Sequence, residues 1–124
     1  MKKIVTALSA IIIISCNQQE QKSAEKNINQ VAEQYVRLGL KIGAYDPDFV
    51  DAYYGPDSLK YNGTKSTVFP KDSLLRAADE LIKDLEPFMN KTSPDSNSIR
   101  AGWMHDQLIA FKRRIKIFAG ETAD

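Results

Sequence analysis

The only cysteine of the 124-residue chain, Cys16, lies where an apolar run gives way to a polar one. The chain opens with Met1, Lys2 and Lys3, continues through an uncharged stretch that ends in IIIIS, and turns polar at NQQE directly after the cysteine. A basic start, a short apolar run and a small residue before a cleavage point are typical of a secretory signal peptide. The apolar run has about a dozen residues, whereas a membrane-spanning helix needs about 20. These features predict a removable signal peptide over residues 1–15.

The residues around the cysteine resemble the lipobox of bacterial lipoproteins, in which an aliphatic and a small residue precede it; here they read Ile13-Ile14-Ser15-Cys16. The resemblance implies that diacylglycerol alkylates the Cys16 thiol, that the chain is cut before Cys16, and that the new amino terminus is acylated, for example with palmitate. Several acyl chains, at about 0.8 kcal/mol per buried CH₂, hold a protein stably on a membrane. A buried structural cysteine is the alternative interpretation.

The lipobox implies that the chain belongs to the bacterial cell envelope, with the membrane as its first partner. The residue after the cysteine, Asn17, is not the Asp that retains some lipoproteins in the inner membrane, which favours the outer membrane facing the periplasm.

Removal of residues 1–15 leaves 109 residues, a length that suits one small domain. This mature chain has 15 basic and 16 acidic side chains, because the removed part contains Lys2 and Lys3 and no acid. Without excess positive charge it has no electrostatic basis for binding nucleic acid. The polar composition of residues 16–24 predicts a solvated tether, and residues 25–124 are expected to form the domain.

Three aspartates, Asp46, Asp48 and Asp51, lie close enough in sequence to suggest a calcium site. An EF-hand loop would need an oxygen-bearing side chain in place of Val50, a glycine in place of Asp51, and a later bidentate glutamate. The sequence meets none of these conditions. It instead favours Asp46 as the N-cap of a short helix, with Asp48 near the positive end of that helix.

The single histidine, His105, precedes Asp106. A zinc site needs three or four ligands, and neither a second histidine nor an HExxH motif is present. No serine lies in a G-x-S-x-G turn, so a hydrolase triad is not supported either. The sequence predicts no catalytic residue, no metal site and no cofactor.

Aromatic side chains cluster around the acidic stretch, and they can form either a ligand pocket or part of the core. Core positions are the favoured interpretation, because buried tyrosines commonly place the hydroxyl at the core edge. The candidate binding surface joins these aromatics to the aspartates: Tyr45, Asp46, Asp48, Asp51, Tyr53, Tyr54 and Trp103.

Apolar residues recur every three or four positions in three segments, which predicts an all-α domain of three main helices. The first helix starts near Ser23 or Asn27 and ends at Gly43. The second spans residues 72–85 with Asp72 as its cap, and the last begins near residues 96–98. The apolar stripe of the last helix is expected to contain Ile99, Trp103, Leu108, Phe111, Ile115 and Phe118, and Gly120 should end it.

A fourth, short helix is expected over residues 47–54. Pro47 suits its first turn, and Gly55 is expected to close it in the left-handed conformation, with Pro56 preventing continuation.

Two segments, QYVRLGLKIGAYDPDFVDAYYGP and RAGWMHDQLIAFKRRIKIFAGE, resemble the N-terminal helical region of larger bacterial envelope proteins whose later portion is similar to zinc-peptidase-like domains. The resemblance covers residues 34–56 and 100–121. The metal-binding portion that it implies would follow Glu121, so no catalytic residue can be transferred to this sequence.

Two functional hypotheses follow. The first is a non-enzymatic, lipid-anchored module that binds a protein or small ligand. The second is the N-terminal piece of a metallopeptidase-like hydrolase, inactive alone, whose partner would be the missing C-terminal domain.

Overall fold

The computed structural model describes residues 26–89 and 92–122. Three α-helices form most of this part: α1 (Ile28–Tyr45), α2 (Lys71–Met89) and α3 (Ser96–Phe118). A 3₁₀ turn at Asp57–Leu59 is the other helical element, and no strand occurs among the described residues. The predicted all-α class is confirmed. Cys16, the predicted signal peptide and the predicted tether lie outside the described residues.

Helix α1 begins at Ile28 because Asn27 caps it. The Asn27 side chain accepts hydrogen bonds from the amides of Asn29 and Gln30, and the Gln30 side chain accepts one from the Asn27 amide at 2.9 Å. This reciprocal capping box satisfies amides that have no partner inside the helix. Asn27 was one of the two predicted starts, and the other, Ser23, lies outside the described residues. Gly43 does not end the helix, which continues to Tyr45.

Helix α2 is longer at its C-terminal end than the apolar pattern predicted. It begins at Lys71, so Asp72 lies in its first turn and the prediction that Asp72 is its cap is wrong; the helix continues through Pro87 to Met89. Pro87 lacks an amide hydrogen, so the Lys83 carbonyl loses its helical partner. Both residues are exposed, and water can replace that one hydrogen bond.

Helix α3 carries clear signals at both ends. The Asp95 side chain accepts from the Ser98 amide, and the Ser98 hydroxyl accepts from the Asp95 amide, each at 2.8 Å. At the other end, Gly120 has φ +89°, its amide donates to Ile117 and the Glu121 amide donates to Lys116. These two bonds define a Schellman motif, in which glycine adopts the left-handed conformation at little cost. The predicted role of Gly120 is confirmed.

The core lies between the three helices. The most extensive contacts join α2 to α3, and α1 packs against both. The buried apolar side chains are Ile28, Val31, Ala32, Leu38, Ile42, Leu74, Ala78, Leu81, Leu85, Ala101, Met104, Leu108 and Ile115. Burying a side chain of Leu or Ile size contributes about 1.5–3 kcal/mol, which makes this set the main source of stability.

The prediction of a short helix over residues 47–54 is wrong. A turn follows α1 instead, in which the Phe49 amide donates to the Asp46 carbonyl at 3.1 Å and the Asp48 amide donates to the Asp46 side chain at 3.3 Å. Asp46 therefore caps the C-terminus of α1 and starts a turn, where the sequence pattern placed an N-cap.

Gly55 also differs from expectation, because its φ is not positive. A Cβ atom at this position would collide with the Tyr53 ring, which folds back so that its hydroxyl donates to the Pro56 carbonyl at 3.2 Å. The same arrangement recurs at Gly63, where the Tyr61 hydroxyl donates to the Thr64 carbonyl. Both glycines make room for the tyrosine two positions earlier.

Two glycines, one inside α3 and one just after its C-terminus, should respond in opposite directions to the same substitution. Gly120→Ala should lower the free energy of unfolding by about 1–2 kcal/mol, because alanine is strained at positive φ. Gly102→Ala should raise it by about 0.5–1 kcal/mol, because glycine is a poor helix former and an added Cβ would meet no atom within 4 Å. Urea denaturation followed by circular dichroism measures both, and equal effects of the two substitutions would contradict the assigned C-terminus of α3.

Candidate interaction surface

Asp46 is the one buried charged side chain of the described residues, with 1% of its surface exposed. Its two carboxylate oxygens accept hydrogen bonds from Arg114, at 2.5 Å from Nε and 2.9 Å from Nη2. Such a bidentate pair is both stronger and more directional than a single contact. It joins the C-terminus of α1 to the last turns of α3.

The hydrogen bonds from Arg114 lower the pKa of the Asp46 carboxyl below its ordinary value, although burial acts in the opposite direction. The carboxylate in turn raises the pKa of Arg114. Because the pKa of Asp46 is lower in the folded than in the unfolded chain, its ionisation stabilises the fold at pH values above the unfolded-state pKa of about 4. This stabilisation is lost as the pH falls through the folded-state pKa. At neutral pH the pair is therefore ionised and structural, which leaves Asp46 without a role as an exposed binding group.

The other aspartates of the acidic stretch, Asp48 and Asp51, are exposed in the segment after α1. Among residues 26–89 and 92–122, no group of three or more His, Cys, Asp or Glu side chains is arranged to hold a metal ion. His105 contacts the neighbouring Asp106 carboxylate at 3.1 Å.

The predicted aromatic residues lie in separate places. The Tyr45 ring packs edge-on against Phe69, and its hydroxyl accepts a hydrogen bond from the Ser66 amide. Tyr54 is 97% exposed. Trp103 lies on α3, eleven residues before Arg114, a separation of roughly 16 Å along the helix.

The structure therefore does not bring Trp103 to the Asp46 turn, and the predicted candidate surface divides into two regions. Whether either region binds a ligand stays a prediction. The expectation that these aromatics fill the core is wrong for Tyr54 and Trp103. The core edge is occupied instead by Tyr35 and Phe111, whose rings stack with centroids 5.2 Å apart.

Two clefts of about 640 Å³ each flank α1. The first is lined by charged side chains, several of which are already paired, as in Lys26 with Asp84 at 2.7 Å. The second is lined by the apolar side chains of Tyr35, Trp103 and Met104 together with charged residues such as Arg37 and Arg100. The Trp103 ring meets the Tyr35 ring edge-on at 6.1 Å, yet 58% of the residue stays exposed.

The outward side of α3 carries a second apolar pattern. Six exposed residues are separated by four, three, four, three and four positions, and we call this line the outer seam of α3: Ile99, Trp103, Asp106, Ala110, Arg113 and Ile117. Ile109 lies beside the seam and is 49% exposed. With about 3.6 residues per turn, the seam lies on the side of the helix opposite the buried Met104, Leu108 and Ile115.

Large apolar side chains thus lie on two opposite sides of α3, and only one of these sides packs within the described domain. The predicted stripe combined residues from both sides, so its placement of Ile99, Trp103 and Phe118 in the core is wrong: they are 67%, 58% and 41% exposed. The spacing of four and three from Ile99 to Ile117 was the signal that could have revealed the second side.

Comparison of the chain with models of known protein families, with curated proteins and with solved structures finds no match in any of the three. No helix in the described part of the chain is both long and apolar enough to cross a membrane. The surface of the domain and the sequence pattern around Cys16 are therefore the two features that bear on function.

Proposed function

We propose that the chain is a lipid-anchored, non-enzymatic interaction module of the bacterial envelope. Cys16 holds it on the membrane, and the outer seam of α3 contacts a protein partner. The observation that carries the second part is the exposure of four large apolar side chains on one side of an ordered helix. They are Ile99, Trp103, Ile109 and Ile117, exposed by 67%, 58%, 49% and 38%.

A protein partner suits this surface because large apolar side chains gain the most from contact when the helix that presents them is already rigid. Capping at both ends and a buried opposite side fix α3, so little ordering entropy would oppose binding. Tryptophan is also among the residues that contribute most to protein interfaces. Large exposed apolar side chains grouped on one side of a helix are a common feature of interaction sites.

The membrane anchor supports the same function. A lipid on Cys16 and a polar tether over residues 16–24 would confine the domain to one membrane surface. Confinement raises the effective concentration of partners on that surface, so a contact of modest intrinsic affinity becomes populated. The outer membrane facing the periplasm is the proposed location.

The alternative function is the N-terminal piece of a metallopeptidase-like hydrolase. One contact favours it: Asp46 and Arg114 come from the two separate segments that resemble such proteins, residues 34–56 and 100–121, and they pair directly. A reading frame with an HExxH motif, in frame and directly downstream in the genome, would support this alternative over the free-standing module.

Site-specific photocrosslinking tests the proposed surface in living cells. A photoreactive phenylalanine analogue at position 109 of the full chain should give one discrete adduct on irradiation. The matched control carries the analogue at Lys83, an exposed position on α2. If the yield of crosslinked adduct at position 109 does not exceed the yield at position 83, the proposal is contradicted.

A further inference from the structure

The outer seam of α3 has the spacing of a coiled-coil contact line. Separations of four and three residues keep successive side chains on one side of a helix, and two helices that carry this pattern can pack along it. From Ile99 to Ile117 the seam is roughly 27 Å long. Its ends are apolar, whereas its middle contains Asp106 and Arg113, two exposed groups of opposite charge.

Both charges are available to a partner. Lys112 pairs with Asp79 and Arg114 with Asp46, but Arg113 between them has no carboxylate within ion-pair distance among the described residues. The Asp106 side chain is 83% exposed, and its one ion pair among residues 26–89 and 92–122 is with the neighbouring His105.

We propose that the partner of the outer seam is a second copy of this chain, packed as a two-fold symmetric, antiparallel α3 pair. This inference rests on the proposed function, since it names the protein that the seam binds. Its basis is self-complementarity: one antiparallel register supplies every seam residue with a suitable neighbour.

In this register Ile99 of one copy meets Ile117 of the other, and Asp106 meets the small Ala110. Trp103 meets Arg113, whose guanidinium can lie over the exposed indole ring as a cation–π contact. Asp106 is only three residues, roughly 4.5 Å, along the helix from Trp103, so Arg113 of the second copy also reaches that carboxylate. Two-fold symmetry makes each contact occur twice.

A parallel pair is disfavoured by the same residues. Parallel alignment would place Asp106 opposite Asp106 and Arg113 opposite Arg113, with like charges at the contact line. Such juxtaposition is the usual means by which coiled coils reject one orientation. The charge order along the seam therefore selects the antiparallel arrangement.

Charge exchange tests the register. The full chain, purified from membranes in mild detergent, should sediment as a dimer in analytical ultracentrifugation. Asp106→Arg or Arg113→Asp alone should raise the dimer dissociation constant by about tenfold or more, because each brings like charges together twice. The double variant restores opposite charges and should bind more tightly than either single variant, although it loses the contact between Arg113 and the Trp103 ring. Lys83→Asp makes the same charge change as Arg113→Asp at an exposed position on α2, and it should leave the dimer dissociation constant unchanged.

The outcomes separate this inference from the function on which it rests. A crosslinked product from position 109 with twice the mass of the chain supports both the interaction module and the self-pairing. A crosslink to a different envelope protein, with a monomeric wild-type chain, overturns the self-pairing and keeps the interaction module. A dimer that neither single variant weakens overturns the antiparallel register, and the absence of any crosslink overturns both proposals.

Discussion

Replacement of Asp46 by alanine is expected to lower the free energy of unfolding by about 2–3 kcal/mol. The substitution removes the only buried charge of the described residues and leaves Arg114 without its carboxylate. Breaking a fully buried ion pair costs about 3–5 kcal/mol. The smaller value is expected here because the Arg114 side chain is 39% exposed and can regain water.

Urea denaturation of the mature chain measures this effect, and Asp48→Ala is the matched control. Asp48 lies two positions later on the exposed side of the same turn, so its loss should change stability by no more than about 0.5 kcal/mol. A double-mutant cycle with Arg114→Ala then isolates the pairwise contribution. If Asp46→Ala and Asp48→Ala have equal effects, the pair does not hold α1 to α3.

Replacement of Cys16 by alanine is expected to abolish incorporation of a fatty-acid probe into the chain in bacterial cells. Cys16 is the only cysteine, so its loss removes the one thiol that diacylglycerol could alkylate. The altered chain should then leave the membrane fraction, because no other lipid attachment point is proposed.

The control for this experiment is Ser15→Gly, which keeps a small residue before the cysteine and should retain full labelling. Persistent labelling of Cys16→Ala would place the lipid elsewhere and would refute the lipobox interpretation.

The sequence predicted the helices better than the turn that follows α1, because the residues that start and end a helix lie within a few positions of its ends. The Asn27 capping box and the left-handed Gly120 each depend on residues within a few positions, so pattern and structure agree there. The turn after α1 depends on a distant contact. Asp46 satisfies every local rule for an N-cap, but its carboxylate pairs with Arg114, 68 positions away. No local pattern contains that partner.

The outer seam was missed for a different reason. Apolar residues repeated every three or four positions predict a helix with an apolar stripe. When two stripes are interleaved in the same segment, the repeat does not show which residues belong to which side of the helix. On α3 the buried Leu108 and the exposed Ile109 are neighbours in sequence and lie on different sides of the helix. Only the positions of α1 and α2 reveal which stripe is already covered.

The central claim, that a lipid on Cys16 holds the chain on a membrane, is tested most directly by intact mass spectrometry of the protein extracted from bacterial membranes. We expect a chain that begins at Cys16 and carries the additional mass of covalently attached lipid. A chain that retains residues 1–15, or whose Cys16 is unmodified, would contradict it.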